Sequence, residues 1–332
     1  MQVVITGAAG FIGSHLAKRL LNKGYNVIGV DFLTEDNPIE VKEFRLKELS
    51  VFNKFEFIKL DIVSDELTNI LKERKCDYFV HLASKDNYYR EPRDFNPYSE
   101  FFEVNTLGTI KMYELARAMG AKKFVAASTF SVYGNTKKQV LTERKLIPDP
   151  ISPHGASKVA MEMALKYLNH LYELPCVIPR IFSVYGPNMP THTLIYQTVA
   201  SAIKGIPLVM RDDFVSQTRD FVYIDDVVDL LEASLSKRIN FQIVNVASGV
   251  STSLQDMINM VSQISGVSVT RDPGDDRPGL QRVIVDFVVS DIKKAEKMFK
   301  YHPNVGMNDG LKRTLDWYRE NQDLLKFAYI KG

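Results

Sequence analysis

Two hydrophobic periods alternate along this chain. Gln2–Thr6 is a short β-branched run, followed after the glycines at 7, 10 and 13 by an amphipathic pattern that predicts a helix through about Lys23. Further strand-like runs follow at Asn26–Val30, Phe55–Leu60, Asp77–Leu82 and Lys123–Ala127. Among them, Glu35–Lys54 mixes both charges so heavily that it reads as an exposed loop or short helix. Pro97 to about Met119 carries the spacing of a long helix. Ser152 and Pro153 form a helix start, and the apolar run beyond them continues at helical spacing to about Leu171. Pro175–Phe182 is a sixth strand, after which the rhythm loosens. A helix near Leu194–Lys204, a short strand at Pro207–Met210, the segment Arg219–Asp226 with a helix to about Lys237, and a strand at Phe241–Val246 come next. Ser253 can cap the helix that follows. Asp272–Arg282, rich in proline, glycine and charge, reads as a loop, and two helices finish the chain, the last holding the only tryptophan, Trp317. Strands alternating with helices in this way predict an α/β fold, a doubly wound parallel sheet with its ligand at the C-terminal ends of the strands. The expected division is residues 1–180 for that sheet and 181–332 for a smaller C-terminal α/β lobe, with the chain free to cross between them.

Composition narrows the field without pointing to a reaction. At 332 residues, 45% hydrophobic and 25% charged, the chain has ample core for two fused units or one large domain. A formal net charge of +2 gives no sign of a nucleic-acid footprint. Cys76 and Cys176 are the only cysteines, too few for a disulfide framework or a cysteine metal site, so no metal is expected. No apolar stretch reaches roughly 18 residues, so no membrane association is expected. The chain opens directly on a strand, which leaves no room for a signal peptide and implies a cytoplasmic, reducing setting.

The chemistry-bearing residues collect where the predicted strands end. Strand, glycine turn and helix are the context of a phosphate-binding loop. Gly7 permits the tight turn, Gly10 lets the backbone approach a pyrophosphate, and Gly13 lets helix meet sheet, with Phe11 and Ile12 opening the helix. Asp31, followed by Phe32, ends the second strand; an acid there takes both ribose hydroxyls and repels a 2′-phosphate, which favours NAD over NADP. Asp61 and Ile62 end the third strand within reach of an adenine, and Leu82, Ala83 and Ser84 end the fourth with side chains small enough for a dinucleotide to lie against them. His154 and Lys158 stand four apart on one helix face, an imidazole one turn from an ammonium. A cation beside a proton acceptor lowers its pKa, a familiar catalytic device, although a solvated polar face has the same pattern.

These motifs, together with Val104–Asn105, Ser128–Gly134, Thr142–Glu143, Gly155–Lys158, Val184–Pro187 and Arg219–Asp226, make the chain similar to the extended short-chain dehydrogenase/reductases, in the nucleotide-sugar epimerase and dehydratase branch. The resemblance runs from Gln2 to about Trp317. It implies a Rossmann domain that holds NAD and removes hydride from a sugar carbon, usually C4, with a tyrosine in a Tyr-x-x-x-Lys pair taking the hydroxyl proton. It places Thr129 at the Ser/Thr position that orients the hydroxyl and Lys158 at the lysine, and it adds Asn105 and Ile181 to the dinucleotide contacts. For the nucleotide-diphosphate sugar it points to Lys85, Tyr88, Thr129, Ser183, Asn188, Arg219 and Arg282, the planar guanidinium suiting a diphosphate. It further implies a homodimer or dimer of dimers, built on the helices Pro97–Met119 and Ser157–Leu171.

Three departures sharpen these expectations. The tyrosine position holds His154. A phenol starts near a pKa of about 10 and an imidazole near about 6.5, so a neutral histidine beside Lys158 is already a competent acceptor. Either His154 is the base, or Tyr88, Tyr89 or a water takes over, or the protein keeps the fold and cofactor as a scaffold or sensor. Where the 4,6-dehydratases carry an acidic pair after the threonine, this chain has Phe130 and Ser131, which leaves oxidation and reduction at one carbon: 4-epimerisation, or a one-way 4-dehydrogenase or 4-ketoreductase. Ser183 stands where epimerases usually place an asparagine.

Overall fold

The computed structural model describes residues 1–35, 37–86, 98–134, 140–144, 148–210, 214–237, 239–272 and 288–328. β1 (Gln2–Thr6), α1 (Phe11–Asn22), β2 (Asn26–Val30), α2 (Ile39–Ser50), β3 (Phe55–Ile58), α3 (Asp65–Leu71) and β4 (Tyr78–His81) alternate as the hydrophobic pattern predicts. α4 (Ser99–Phe102) widens into a π-helical segment, Glu103–Gly108, and continues as α5 (Thr109–Ala118). Then come β5 (Lys123–Ala126), β6 (Ser128–Thr129), α6 (Pro153–Tyr172) and β7 (Cys176–Ile181). The second half holds β8 (Ser183–Tyr185), α7 (Leu194–Lys204), β9 (Leu208–Val209), β10 (Thr218–Tyr223), α8 (Ile224–Ser236), β11 (Phe241–Val246), β12 (Ser251–Ser253), α9 (Leu254–Ser265), β13 (Arg271–Asp272), α10 (Lys293–Phe299) and α11 (Met307–Glu320).

The main sheet runs β11-β7-β5-β4-β1-β2-β3, all parallel, with β6 paired to the end of β7. Both faces are covered, so its strands are apolar on both sides. On β1, Val3 and Ile5 enter one core with Leu16, Leu20, Val227 and Leu231, while Val4 enters the other with Phe79, Met112, Phe124 and Leu165. Each such side chain taken fully out of water contributes roughly 1.5–3 kcal/mol. The sheet does not stop at residue 180, because β11 comes from beyond it and completes the edge. A small sheet, β12-β10-β8, and the pair β13-β9 make up the remaining strands.

One segment takes the helical alternative of its sequence reading but is less exposed than expected. The charged run 35–54 contains the full helix α2, and two of its cations point inward. Lys42 donates to the Thr34 carbonyl at 2.6 Å, and Arg45 donates to the Ala9 and Asn188 carbonyls at 3.1 and 2.6 Å. Hydrogen-bonded cations share the buried face with Val41 and Leu49, which interrupts the apolar stripe that normally marks it. No helix among the described residues is long and apolar enough to cross a membrane.

Candidate active site

The glycine loop is shaped by close backbone approaches. Gly7 has φ +72°, and a Cβ there would lie 2.7 Å from the Ala83 nitrogen, so the loop packs against the chain leaving β4. A Cβ at Gly13 would lie 2.1 Å from the Gly7 carbonyl oxygen. Gly10 precedes α1 with no side chain capping it, so the first turn of α1 keeps its amides for an anion, among them those of Phe11, Ile12 and Gly13. At the adjoining tip of β2, the Asp31 carboxylate accepts from the Ala9 and Leu33 amides at 3.0 and 2.9 Å, with Phe32 largely exposed beside it. An uncapped, glycine-lined helix start beside an anchored carboxylate fits the pyrophosphate and ribose of a dinucleotide. Asp61 turns the chain after β3 by accepting from the Val63 amide, and Ile62 is buried against Gly108.

The second cluster lies at the ends of β4, β6 and α6. Ser152 caps α6 by accepting from the Gly155 amide at 3.0 Å, with Pro153 in the first turn, which fixes where His154 leaves the helix. His154 is buried and its Nδ1 bonds to the Lys85 carbonyl at 3.0 Å. Lys158, one turn on, donates from Nζ to the Ala127 carbonyl at 2.9 Å, two residues before Thr129. Thr129 closes the turn that follows by accepting from the Ser131 amide at 3.2 Å. A Cβ at Gly155 would sit 2.6 Å from the Ser131 carbonyl oxygen, so only glycine lets α6 pack this closely on that turn. Thr129, His154 and Lys158 are thereby gathered at one end of the sheet, and Ile181, at the tip of β7, pairs directly with Thr129.

Electrostatics suit proton transfer. Burial, and next the Lys158 ammonium, hold the His154 imidazole below its ordinary 6.5, against the opposing pull of Asp86 and the Lys85 carbonyl. Burial brings Lys158 down from 10.5 to about 8, opposed by Asp86 and Glu162. Behind this face, Glu162 is fully buried and takes two bonds from Arg180, at 2.9 and 2.6 Å, and one from Ser128 at 2.6 Å. Arg180 also lies over the Tyr133 ring, 4.7 Å from its centroid. Glu162 is the residue that sequence reading overlooked, although its signal was present: 154, 158 and 162 recur every four residues on one helix face.

Several residues expected to meet ligands are engaged elsewhere. The Lys85 side chain pairs with Glu100, and only its backbone reaches His154. The Asn105 side chain, read as a dinucleotide contact, spends its whole capacity inside the protein. Its Oδ1 accepts from Ser84 Oγ and the Lys85 amide, and its Nδ2 donates to the Lys85 carbonyl and Ser157 Oγ. Leu82 and Ala83 line the glycine loop. Asn188 is buried at φ +60°, with its carbonyl taken by Arg45. Ser183 and Arg219 stand on the small sheet, Arg219 donating to the Thr218 carbonyl and Gln217 Oε1. Tyr88, Tyr89 and Arg282 lie outside the described residues. No group of three or more His, Cys, Asp or Glu among the described residues is placed to hold a metal ion.

Comparison with known proteins agrees with this architecture. A model of the NAD dependent epimerase/dehydratase family matches residues 3–247. The chain is 31% identical over 325 residues to a UDP-glucuronate 4-epimerase of Thermodesulfobacterium geofontis, covering 97% of this chain and 98% of the relative. It is 33% identical over 324 residues to a UDP-glucose 4-epimerase of Mycolicibacterium smegmatis, covering 96% and 99% of the two chains. The crystal structure of the UDP-glucuronic acid 4-epimerase from Bacillus cereus, in complex with UDP-glucuronic acid and NAD, superposes with a TM-score of 0.86 at 32% identity, covering 97% of this chain and all of that one. From its glycine cradle to the parallel sheet that carries it, this protein belongs to the NAD dependent epimerase/dehydratase family.

Proposed function

We propose that this protein is an NAD-dependent 4-epimerase of a nucleotide-diphosphate sugar, with UDP-hexoses and UDP-hexuronates as the substrate class. The observation that carries this reading is the gathering of His154, Lys158 and Thr129 at the end of the sheet that also holds the glycine cradle. The names of the relatives support the choice of sugar nucleotide. NAD, when bound, supplies the chemistry of taking a hydride from the sugar carbon and giving it back. The amides at the start of α1 hold its pyrophosphate, and the Asp31 carboxylate takes its ribose hydroxyls. His154, uncharged near neutrality, accepts the proton of the sugar hydroxyl and returns it. Burial and the Lys158 ammonium keep that ring unprotonated, and Thr129 orients the hydroxyl. Phe130 stacks on Phe182, with 5.5 Å between centroids, and with Ser131 offers no acid for dehydration, which favours epimerisation over a 4,6-dehydratase reaction.

Incubation with UDP-glucose, UDP-galactose and the two UDP-hexuronates, followed by chromatography and NMR of the product, tests the reading. An inverted C4 centre with no net NADH is expected. An accumulating keto-sugar would replace it with a 4-dehydrogenase, and absence of turnover on every sugar nucleotide would replace it with a binding protein.

The assembly we propose is a homodimer through α4–α5 and α6. Met163, Tyr167 and Leu171 recur every four residues on α6 and are exposed, as are Phe102 and Leu107 on the facing helix. Exposed apolar side chains recurring along two packed helices support a protein contact there. Light scattering is expected to give a dimer, or a dimer of dimers, and Tyr167→Glu a monomer; a monomeric wild type would refute the assembly.

A further inference from the structure

We infer that Asn105 is a positioning residue for His154: by clamping the Lys85 backbone it fixes the imidazole tautomer that leaves Nε2 as the proton acceptor. This rests on the reading of His154 as the base.

The Lys85 carbonyl oxygen receives two bonds, from Asn105 Nδ2 at 2.9 Å and from His154 Nδ1 at 3.0 Å. A carbonyl oxygen only accepts, so His154 Nδ1 carries the hydrogen, and in the neutral ring the lone pair is on Nε2. The direction of the Asn105 amide is settled by its partners, because the Lys85 amide can only donate to Oδ1 and the Lys85 carbonyl can only accept from Nδ2. Asn105 therefore grips both polar groups of one peptide residue, as a neighbouring strand would. Its second Nδ2 bond goes to Ser157 Oγ, which donates to the His154 carbonyl at 2.9 Å. One wholly buried side chain thus holds the partner of the ring and, through Ser157, the backbone of the same histidine. Asn105 sits in the π-helical segment Glu103–Gly108, and such widened turns recur at functional sites. Thr106 Oγ1 also donates to the Ser157 carbonyl at 2.9 Å, so the same turn ties α6 at a second point.

The test reads the ring directly. In wild-type protein carrying ¹⁵N-histidine, with the His154 signals identified by their loss in His154→Phe, we expect Nδ1 in the protonated range and Nε2 in the unprotonated range at neutral pH. A ring protonated at Nε2 instead would overturn the proposal. Asn105→Asp keeps the acceptor for the Lys85 amide but removes the donor to the Lys85 carbonyl. It is expected to lower kcat about 10- to 100-fold, the scale on which losing the orienting partner of a metal-bound histidine acts, with KM little changed and both tautomers visible in the ring spectrum. An unchanged kcat and ring spectrum would overturn the proposal. Should Asn105→Asp not fold, Asn105→Ala, which also removes the donor to the Lys85 carbonyl, is read in the same way, and an unchanged kcat and ring spectrum in it would overturn the proposal. The tautomer is read without turnover, so a failed epimerase assay beside an Nδ1–H ring would reject the proposed reaction and leave the positioning role standing.

Discussion

Gly13→Ala sets two effects of opposite sign against each other. Gly13 lies in the first turn of α1, where exchanging glycine for alanine favours a helix by about 1 kcal/mol. The new methyl carbon would, however, sit 2.1 Å from the Gly7 carbonyl oxygen, with Gly7 C at 2.9 Å and Ala8 Cα at 3.1 Å. All three are backbone atoms, so no side chain can swing aside. Ordinary contact begins at 3.4 Å, and the Gly7 carbonyl must retreat by roughly 1.3 Å. That carbonyl also accepts from the Gly10 amide at 3.0 Å, so the cradle moves with it. Overpacking of this kind costs typically 1–3 kcal/mol, and the clash outweighs the propensity gain. The melting temperature should fall by a few degrees, at roughly 2–4 °C per kcal/mol. Losing one charge-assisted bond to the pyrophosphate costs about 1.5–3 kcal/mol, so NAD affinity should drop roughly 10- to 100-fold. Calorimetric titration with NAD and a thermal scan measure both. Gly306→Ala, where a Cβ would meet nothing within 4 Å, is the control. Wild-type NAD affinity and melting in Gly13→Ala would refute this account of the loop.

His154→Phe should abolish turnover while NAD content and melting stay near wild type; undiminished turnover would remove His154 from the chemistry. In the pH profile, kcat/KM should rise as the ring loses its proton. Because burial and Lys158 hold that ring below 6.5, the acid limb should be complete before neutrality. Lys158→Met removes the neighbouring charge and should move the limb of the residual activity upward, toward 6.5; a limb that stays in place or falls would contradict the assignment. Glu162→Gln leaves the Arg180 guanidinium buried without its counter-charge and should cost about 3–5 kcal/mol in urea unfolding, a loss under about 1 kcal/mol contradicting the importance of the pair.

The alternation of strands and helices was readable because both cores are apolar and short glycine or proline punctuation separates the elements. Less legible was how far polar groups serve as core. Lys42 and Arg45 are buried on carbonyls, so the α2 segment read as an exposed loop or short helix. His81, flanked by Thr6 Oγ1 at 2.7 Å and Thr109 Oγ1 at 2.9 Å, is pushed down to about 3 by burial and is a core histidine in a strand. For the site, the four-residue spacing on one helix singled out His154 and Lys158, and the family resemblance added Thr129, because these candidates lie in two short motifs. The roles of Asn105 and Lys85 depend on which backbone groups meet across about 20 positions of sequence, and on a π-helical turn that residue type does not encode. A lysine ahead of a tyrosine pair suggested ligand binding, and nothing in its own neighbourhood revealed Glu100 as its partner.

β11 carries a consequence for how the chain is made. All six residues of β7 are buried, and β11 shields one long edge of that strand through six register pairs, Phe241↔Cys176 to Val246↔Ile181. A nascent chain that has emerged only as far as Ile181 has the residues for the cradle, His154 and Lys158, yet β7 ends in open backbone amides and carbonyls. Such an edge invites pairing with another unfinished copy until Val246 clears the ribosome. Splitting the gene at residue 180 should therefore yield an insoluble N-terminal fragment that becomes soluble when the second piece is translated alongside it.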